Sequence, residues 1–300
     1  MSQPFALACR GGLNVNLNQL EIMRQPGLAT ELLNFEVDPD GGYRRISGFT
    51  LFGGGSSARP NSSNRILGLA VYADGLIACS GTGIFFSQDG TSWLQINKAS
   101  VSGSGDNYST FTGRSNDART SQGQCSFALF EGTSDYGEML ICDGANKPFF
   151  FKMTGTGALA DRTFFASEIT VDSTTAPTVG VIHENHFVVG GAPTAKNKIF
   201  FSATLDPDSF SGTGSGSIQL TDAIVGLASF RSDLIIFCKN SIFKLINISD
   251  SSNIAIVPIT QNVGCLDGNS IQEIGGDLLF LSPDGIRTVA GTARIGDVEL

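Results

Sequence analysis

The only two histidines of this 300-residue chain, His183 and His186, stand three apart in "VIHENHFVV", with Glu184 between them. Two imidazoles and a carboxylate at that spacing can ligate a metal, but a zinc site ordinarily needs three or four ligands of this kind. The flanking runs "VGVIH" and "HFVVGG" read as strands, so the pair is predicted at a hairpin turn, where a polar turn is the expected role. A second concentration of reactive groups is "NFEVDPDGGYRRISGF", which sets Glu36, Asp38 and Asp40 beside Arg44 and Arg45. No His, Lys or Cys accompanies them, so acid–base or nucleophilic catalysis lacks a partner there. Three carboxylates against two guanidiniums also make a poor phosphate contact. What remains is a hairpin: a strand over 34–37, a turn over 38–42 set by Pro39 and two glycines, and a return over 43–49. Strand alternation sends Arg44 and Arg45 to opposite faces, one toward a local carboxylate and the other toward a neighbouring subunit or partner.

The remaining candidates are weaker. "SQDGTSW" resembles the Asp-box hairpin of sialidases and related propellers, short of one residue between Asp89 and Gly90. The resemblance implies a surface turn in which Asp89 holds backbone amides and Trp93 packs between sheets. Ser87, Asp89, Gly90 and Trp93 are therefore structural candidates that speak to fold and not to catalysis. "SPDGI", from Ser282 to Ile286, is a fainter echo. A sialidase-like site would need clustered arginines and a Tyr/Glu pair, and the chain has four tyrosines and no Phe-Arg-Ile-Pro segment. "FRSD" at Phe230 to Asp233 is a poor substitute. There is no P-loop, no dinucleotide fingerprint and no G-x-S-x-G elbow. "FGGGSS" lacks the Lys and helix of a phosphate cradle and reads as a linker. No enzyme activity, cofactor or metal is expected.

Composition narrows the class. Charged residues make up 16% of the chain and glycine fills 37 positions, alongside abundant Ser, Thr, Phe, Ile and Val. That mixture favours strands over helices. A hydrophobic content of 41% supports a packed core. The net charge of −9, with 19 bases among 28 acids, argues against general affinity for nucleic acid. The six cysteines (Cys9, Cys79, Cys125, Cys142, Cys238 and Cys265) form no C-x-x-C pair and sit mostly in apolar runs, as buried free thiols do. "MSQPFALACRGG" lacks the basic start and full apolar stretch of a signal peptide, and no run approaches the roughly 20 apolar residues that span a bilayer.

The elements repeat. "RILGLAVY", "LIACS", "IFFS" and "WLQI" are four runs joined by tight turns, two of them carrying Asp-Gly. Similar sets follow: "CSFALF", "EMLIC", "PFFFKM", "TFFAS"; then "VGVIH", "HFVVGG", "KIFFSA", "SIQL"; then "IVGLASF", "DLIIFC", "SIFKLI", "IAIVPI". "NSIQEI", "DLLFLS" and "GIRTV" open a fifth set, whose last strand is expected at "GDVEL". The second runs begin at Leu76, Met139, Phe187, Leu234 and Leu278, so they lie 63, 48, 47 and 44 residues apart. The later intervals match a propeller blade, and the long first one holds an inserted loop over 98–124. The fold expected is all-β: a propeller of four-stranded antiparallel blades over 59–300, about five of them visible. An N-terminal hairpin and Gly-rich linker fill 1–58. Ring closure is expected from residues beyond 300 or from the N-terminal segment. Arg114 and Arg119 lie in the inserted loop, read as solvated, where they are further interface candidates.

The first fifty residues carry a recognisable order. Gly11, Gly12, Pro26, Gly27, Ala29, Asn34, Glu36, Gly42, Arg45, Gly48 and Phe49 resemble the opening of phage tail nozzle and packaged-DNA stabilisation proteins. "SFRSDLIIFCKNSIFKLI" and "GDLLFLSPDGIRTV" are similar to propeller strands of that family. The resemblance implies a virion protein of the tail, assembled in the host cytoplasm as a homo-oligomeric ring, commonly a hexamer. Its implied partners are a portal or tail adaptor and other tail proteins or fibres, with DNA as passing cargo and no membrane. The alternative from the Asp-box-like turn is a carbohydrate-binding or sialidase-like propeller.

Overall fold

The structure is a computed structural model that describes residues 12–25, 27–38, 42–48, 60, 64–97, 106–107, 119–120, 122–132, 134–158, 161–172 and 175–296. The chain divides into two compact units, Met1–Leu51 and Phe52–Leu300.

The first unit is small and held by local bonds. Helix α1 (Gln19–Arg24) is closed by a capping box: Asn18 Oδ1 accepts from the amides of Leu20 and Glu21, and the Glu21 carboxylate accepts from the Asn18 amide. Strands β1 (Phe35–Val37) and β2 (Tyr43–Arg45) pair antiparallel, with Glu36 opposite Arg44. The Tyr43 hydroxyl donates to Gly12 O at 2.7 Å, fastening the hairpin to the start of the unit.

The second unit is a β-propeller built from five consecutive antiparallel meanders. Sheet 1 holds β3 (Ile66–Tyr72), β4 (Gly75–Ser80), β5 (Gly83–Ser87) and β6 (Leu94–Gln95). Sheet 2 holds β7 (Asp106–Asn107), β8 (Ser126–Phe130), β9 (Glu138–Cys142), β10 (Phe149–Thr154) and β11 (Thr163–Glu168). Sheet 3 holds β12 (Val179–His183), β13 (His186–Gly190), β14 (Lys198–Phe201) and β15 (Gly216–Gln219). Sheet 4 holds β16 (Ile224–Phe230), β17 (Asp233–Cys238), β18 (Ile242–Ile246) and β19 (Ala255–Thr260). Sheet 5 holds β20 (Gln272–Ile274), β21 (Asp277–Ser282) and β22 (Gly285–Thr288).

Two features depart from the expected four-stranded pattern. The inserted loop contributes β7, which pairs with Thr163 and Phe164 on the free edge of β11. Its residues, Asp and Asn, carry no strand signal; the exposed ladder of β11 supplies the reason for pairing. After β22 the chain forms helix α2 (Val289–Gly296), with Val289 buried in the apolar cluster between sheets 4 and 5. The strand expected at "GDVEL" lies outside the described residues, apart from Gly296 in the helix. Among the described residues no helix is long and apolar enough to cross a membrane.

Packing follows from alternation along the second strand of each sheet. Met139 and Ile141, Phe187 and Val189, Leu234 and Ile236, and Leu278 and Phe280 all point back toward the preceding sheet. Ile77 and Cys79, Leu140 and Cys142, Val188, and Ile235 and Phe237 point forward toward the next. Each strand is thus apolar on both faces, and each fully buried side chain contributes about 1.5–3 kcal/mol. Where first strands converge, side chains must shrink. A Cβ on Gly68 of β3 would lie 2.6 Å from the Phe127 ring, and one on Gly226 of β16 would collide with Ile271. Both glycines follow a register shift, between Ile66 and Gly68 and between Ile224 and Gly226. The five described cysteines are buried and free, and burial pushes the thiols of Cys142 and Cys238 up, the latter to about 12.

Turns between first and second strands differ from the Asp-Gly reading. Ala73 takes a φ of 52° and Gly75 already belongs to β4; Glu184 and Asn185 take 46° and 62°. The right-handed twist of the hairpins imposes positive φ even on residues with a Cβ.

Polar bonds register the blades. The Tyr72 hydroxyl donates to Gly137 O at 2.8 Å and accepts from the Met153 amide at 3.0 Å, both on sheet 2. Arg162 grips Asp74 through both terminal nitrogens, at 2.7 and 2.8 Å, and lies over the Tyr136 ring. Tyr72→Phe is expected to leave a buried amide and carbonyl unpaired and to cost about 1–3 kcal/mol. A denaturant midpoint shifted at unchanged slope would show it; an unmoved midpoint would mean the hydroxyl does not tie sheets 1 and 2.

Candidate interface and central cavity

The N-terminal hairpin is the densest charged element among the predicted site residues. Glu36 and Arg44 are cross-strand partners, with Arg44 Nε 2.6 Å from Glu36 Oε1 and both side chains about half exposed. A pair so hydrated holds little energy and mainly fixes orientation. Arg45, opposite Phe35, is exposed, and Asp38 is partly buried with its amide donating to Gly42 O at 3.1 Å. Asp40 and Arg114 lie outside the described residues. Among the residues of this unit whose burial is described none is fully buried, while Leu13, Val15, Leu20, Met23, Leu33 and Phe35 are exposed.

Arg119 requires a correction. Read from sequence as a solvated loop residue, it is buried. Its guanidinium meets Asp143 at 3.1 Å and Glu168 at 3.5 Å and lies 5.4 Å above the centre of the Phe149 ring. Asp143 in turn accepts from the amides of Ala145 and Asn146 and from the Asn146 side chain. The two partners are 24 residues apart, and the polar stretch around Arg119 carries no spacing signal that would have paired them. Arg119 Nε is buried without a hydrogen-bond partner.

Asp143 also borders a cavity of about 820 Å³ at the starting ends of the first strands of sheets 2 to 5. Ser126, Thr178, Val225 and Asn269 mark its four sides. Its charged lining is Asp143 and Asp267, with no Lys or Arg. Asp143 is neutralised by Arg119, and Phe127 is the one aromatic side chain of the lining.

The histidine pair sits at strand ends and not in the turn itself. Glu184 and Asn185 make the turn, while His183 and His186 are cross-strand partners and both buried. His186 Nδ1 donates to Ser202 O at 2.6 Å, and Thr204 and Ser249 hydroxyls lie near its Nε2. His183 Nδ1 bonds the Ser229 hydroxyl at 2.8 Å, which joins sheet 3 to sheet 4, and its Nε2 has no partner. Among the described residues no three His, Cys, Asp or Glu are placed to hold a metal. In the β5–β6 turn, Asp89 accepts from the Thr91 and Ser92 amides at 2.8 and 3.3 Å, and Ser87 Oγ accepts from the Gly90 amide at 2.8 Å. Trp93 is half-buried beside it.

No family model matches the sequence, and no curated protein matches it. Solved structures do. The extracellular domain of a putative hybrid two-component system from B. thetaiotaomicron aligns at 12% identity and a TM-score of 0.46. That alignment covers 85% of this chain and 31% of the other, so this chain spans about a third of that structure's length. A RAG complex with one melted and one unmelted RSS aligns at 11% identity and a TM-score of 0.42, over 73% of this chain and 80% of that one. The WD40 domain of Neurospora crassa Pan2 aligns at 10% identity and a TM-score of 0.39, over 74% and 64%. Likeness at these values carries no argument about function, and the propeller stands on the sheet order described above.

Two outcomes follow from the buried charges. Arg119→Ala strands the Asp143 carboxylate and is expected to cost about 3–5 kcal/mol, whereas Arg119→Met with Asp143→Asn should cost clearly less. Equal losses in thermal or denaturant unfolding would refute the pairing as the cause. Burial lowers the His183 pKa below the usual 6.5, with Glu184 and Asp233 opposing the shift. The unfolded chain therefore takes the proton first, and stability present above about pH 6.5 is lost as pH falls below it. His183→Asn should flatten the stability difference between about pH 8 and about pH 5; an unchanged slope would exclude His183 as its source.

Proposed function

We propose that this protein is a structural subunit of a phage tail. It forms a homo-oligomeric ring, a nozzle or hub below the portal or adaptor, that continues the DNA channel and helps retain and then release packaged DNA. The observation that carries this reading is the N-terminal unit. Its Gly-Gly, Pro-Gly-x-Ala, Asn-x-Glu and Gly-x-x-Arg-x-x-Gly order resembles the opening of that family. Among its residues whose burial is described none is fully buried, and Leu20, Met23, Leu33 and Phe35 are exposed. A segment shaped by caps and one hairpin, with no core, gains its stability from a partner surface.

The hairpin supplies charge for that contact. Glu36 engages Arg44, which leaves the exposed Arg45 on the other face to reach a carboxylate on a neighbouring subunit or on the portal-side partner. A net charge of −9 suits a wall past which DNA must slide without adhering.

Electron microscopy of the purified chain, alone and mixed with a portal–adaptor assembly, tests the proposal. A ring with a central channel is expected. A particle that stays monomeric and never joins a portal-containing complex would overturn it. Arg45→Ala should weaken ring formation while leaving the unfolding transition in place; rings of undiminished yield would remove Arg45 from the interface.

A further inference from the structure

We infer that Cys79 and Cys125 form an oxidation site, which hydrogen peroxide converts into a disulfide stapling sheet 1 to sheet 2. Both thiols are buried and free in the structure. Cys79 lies near the end of β4, and Cys125 immediately precedes β8.

The geometry starts from a glycine. Gly68 of β3 is the cross-strand partner of Cys79, so their Cβ directions share one face of sheet 1. A Cβ placed on Gly68 would lie 2.8 Å from Cys125 Cβ. Cys125 thus fills the space that a side chain opposite Cys79 would otherwise take. Cross-strand Cβ atoms stand about 4.5–5.5 Å apart, which puts that space beside the Cys79 side chain. The two thiols meet there: the Cys79 thiol hydrogen-bonds to Cys125, whose Sγ donates in turn to Gln122 Oε1 at 3.3 Å.

Backbone bonds fix this approach. The Cys125 amide donates to Leu67 O at 3.0 Å, and the Gln122 amide donates to Gly81 O at 2.9 Å. Gln122 Nε2 adds a bond to Gly83 O at 3.1 Å. All three acceptors lie in sheet 1 or its β4–β5 turn. Cys142 is the other thiol nearby, but its Sγ lies 3.0 Å from a Cβ built on Gly180 of sheet 3. It faces the next junction, away from Cys79.

Cys125 also borders the cavity of about 820 Å³, so a small oxidant entering there meets Cys125 first. The Cys79 thiol is held well above its ordinary range by its bond to Cys125 and then by burial, which makes it the second to react. Cys125 sulfur attacks one peroxide oxygen and the O–O bond breaks. A sulfenic acid stays on Cys125, and the leaving hydroxide takes the Cys125 proton to become water. Cys79 sulfur then attacks the sulfenic sulfur, and the departing hydroxide takes the Cys79 proton as a second water. Two thiols are oxidised and one hydrogen peroxide is reduced to two waters. The new bond closes a loop containing the end of sheet 1 and the 98–124 insertion, which restricts the unfolded chain and stabilises the folded one. The site does not rest on the proposed tail role.

The full chain carrying Cys9→Ser can be treated with hydrogen peroxide, denatured, alkylated and mapped by mass spectrometry without reduction. Two of its five thiols should be lost, with the Cys79 and Cys125 peptides joined. The unfolding midpoint should rise, and dithiothreitol should reverse the rise. With Cys79→Ala added, no joined peptide is expected, and dimedone should trap the sulfenic acid on Cys125. Joining of Cys125 to Cys142 would overturn the inference, as would equal loss of all five thiols. Retention of all five by the folded protein would also overturn it.

Discussion

A four-stranded sheet with apolar residues on both faces cannot be stable alone, and nearly everything in the second unit depends on that constraint. Each sheet buries its backward face on its predecessor and its forward face on its successor, so stability is distributed over four junctions. The second strand carries most of this load because it lies between neighbours within its sheet and between sheets in the array. Its residues (Ile77, Leu140, Val188, Ile236 and Phe280 among them) are almost wholly buried. The glycines at 68 and 226 serve the same end by letting first strands approach where a side chain would separate them.

Polar groups act at the margins of these apolar junctions and give them register. Hydrocarbon packing alone tolerates sliding, whereas the Tyr72 hydroxyl, the Asp74–Arg162 fork and the His183–Ser229 bond each fit one alignment of neighbouring blades. Arg119 and Asp143 extend the principle to a loop: one buried ion pair anchors the return from the inserted segment to the β9–β10 turn. The cost of desolvating that pair is offset by the Asn146 and backbone donors around Asp143.

The first unit is organised differently. Its hydrogen bonds are local, its ion pair is hydrated, and Leu13, Val15, Leu20, Met23, Leu33 and Phe35 are exposed. The second unit leaves Val71 and Ile286 exposed. Exposed apolar surface of this kind marks sites of association more often than it marks free surface. The proposed assembly uses charge and apolar contact from the hairpin.

The sequence alone determined the repeat, most strands of the five sheets and the pairing of 35–37 with 43–45. Those features rest on periodicity and turn chemistry, which act between residues close in the chain. It also exposed the buried character of the described cysteines, because most of them lie in apolar runs. Tertiary structure alone decided the rest. Asp106 and Asn107 became a strand because β11 offered an edge, and Arg119 became buried because Asp143, distant in sequence, awaited a cation. His183 and His186 looked like turn residues, yet their rings went into the junctions between blades. Long-range packing selects such positions, and the local pattern of residues contains no term for it.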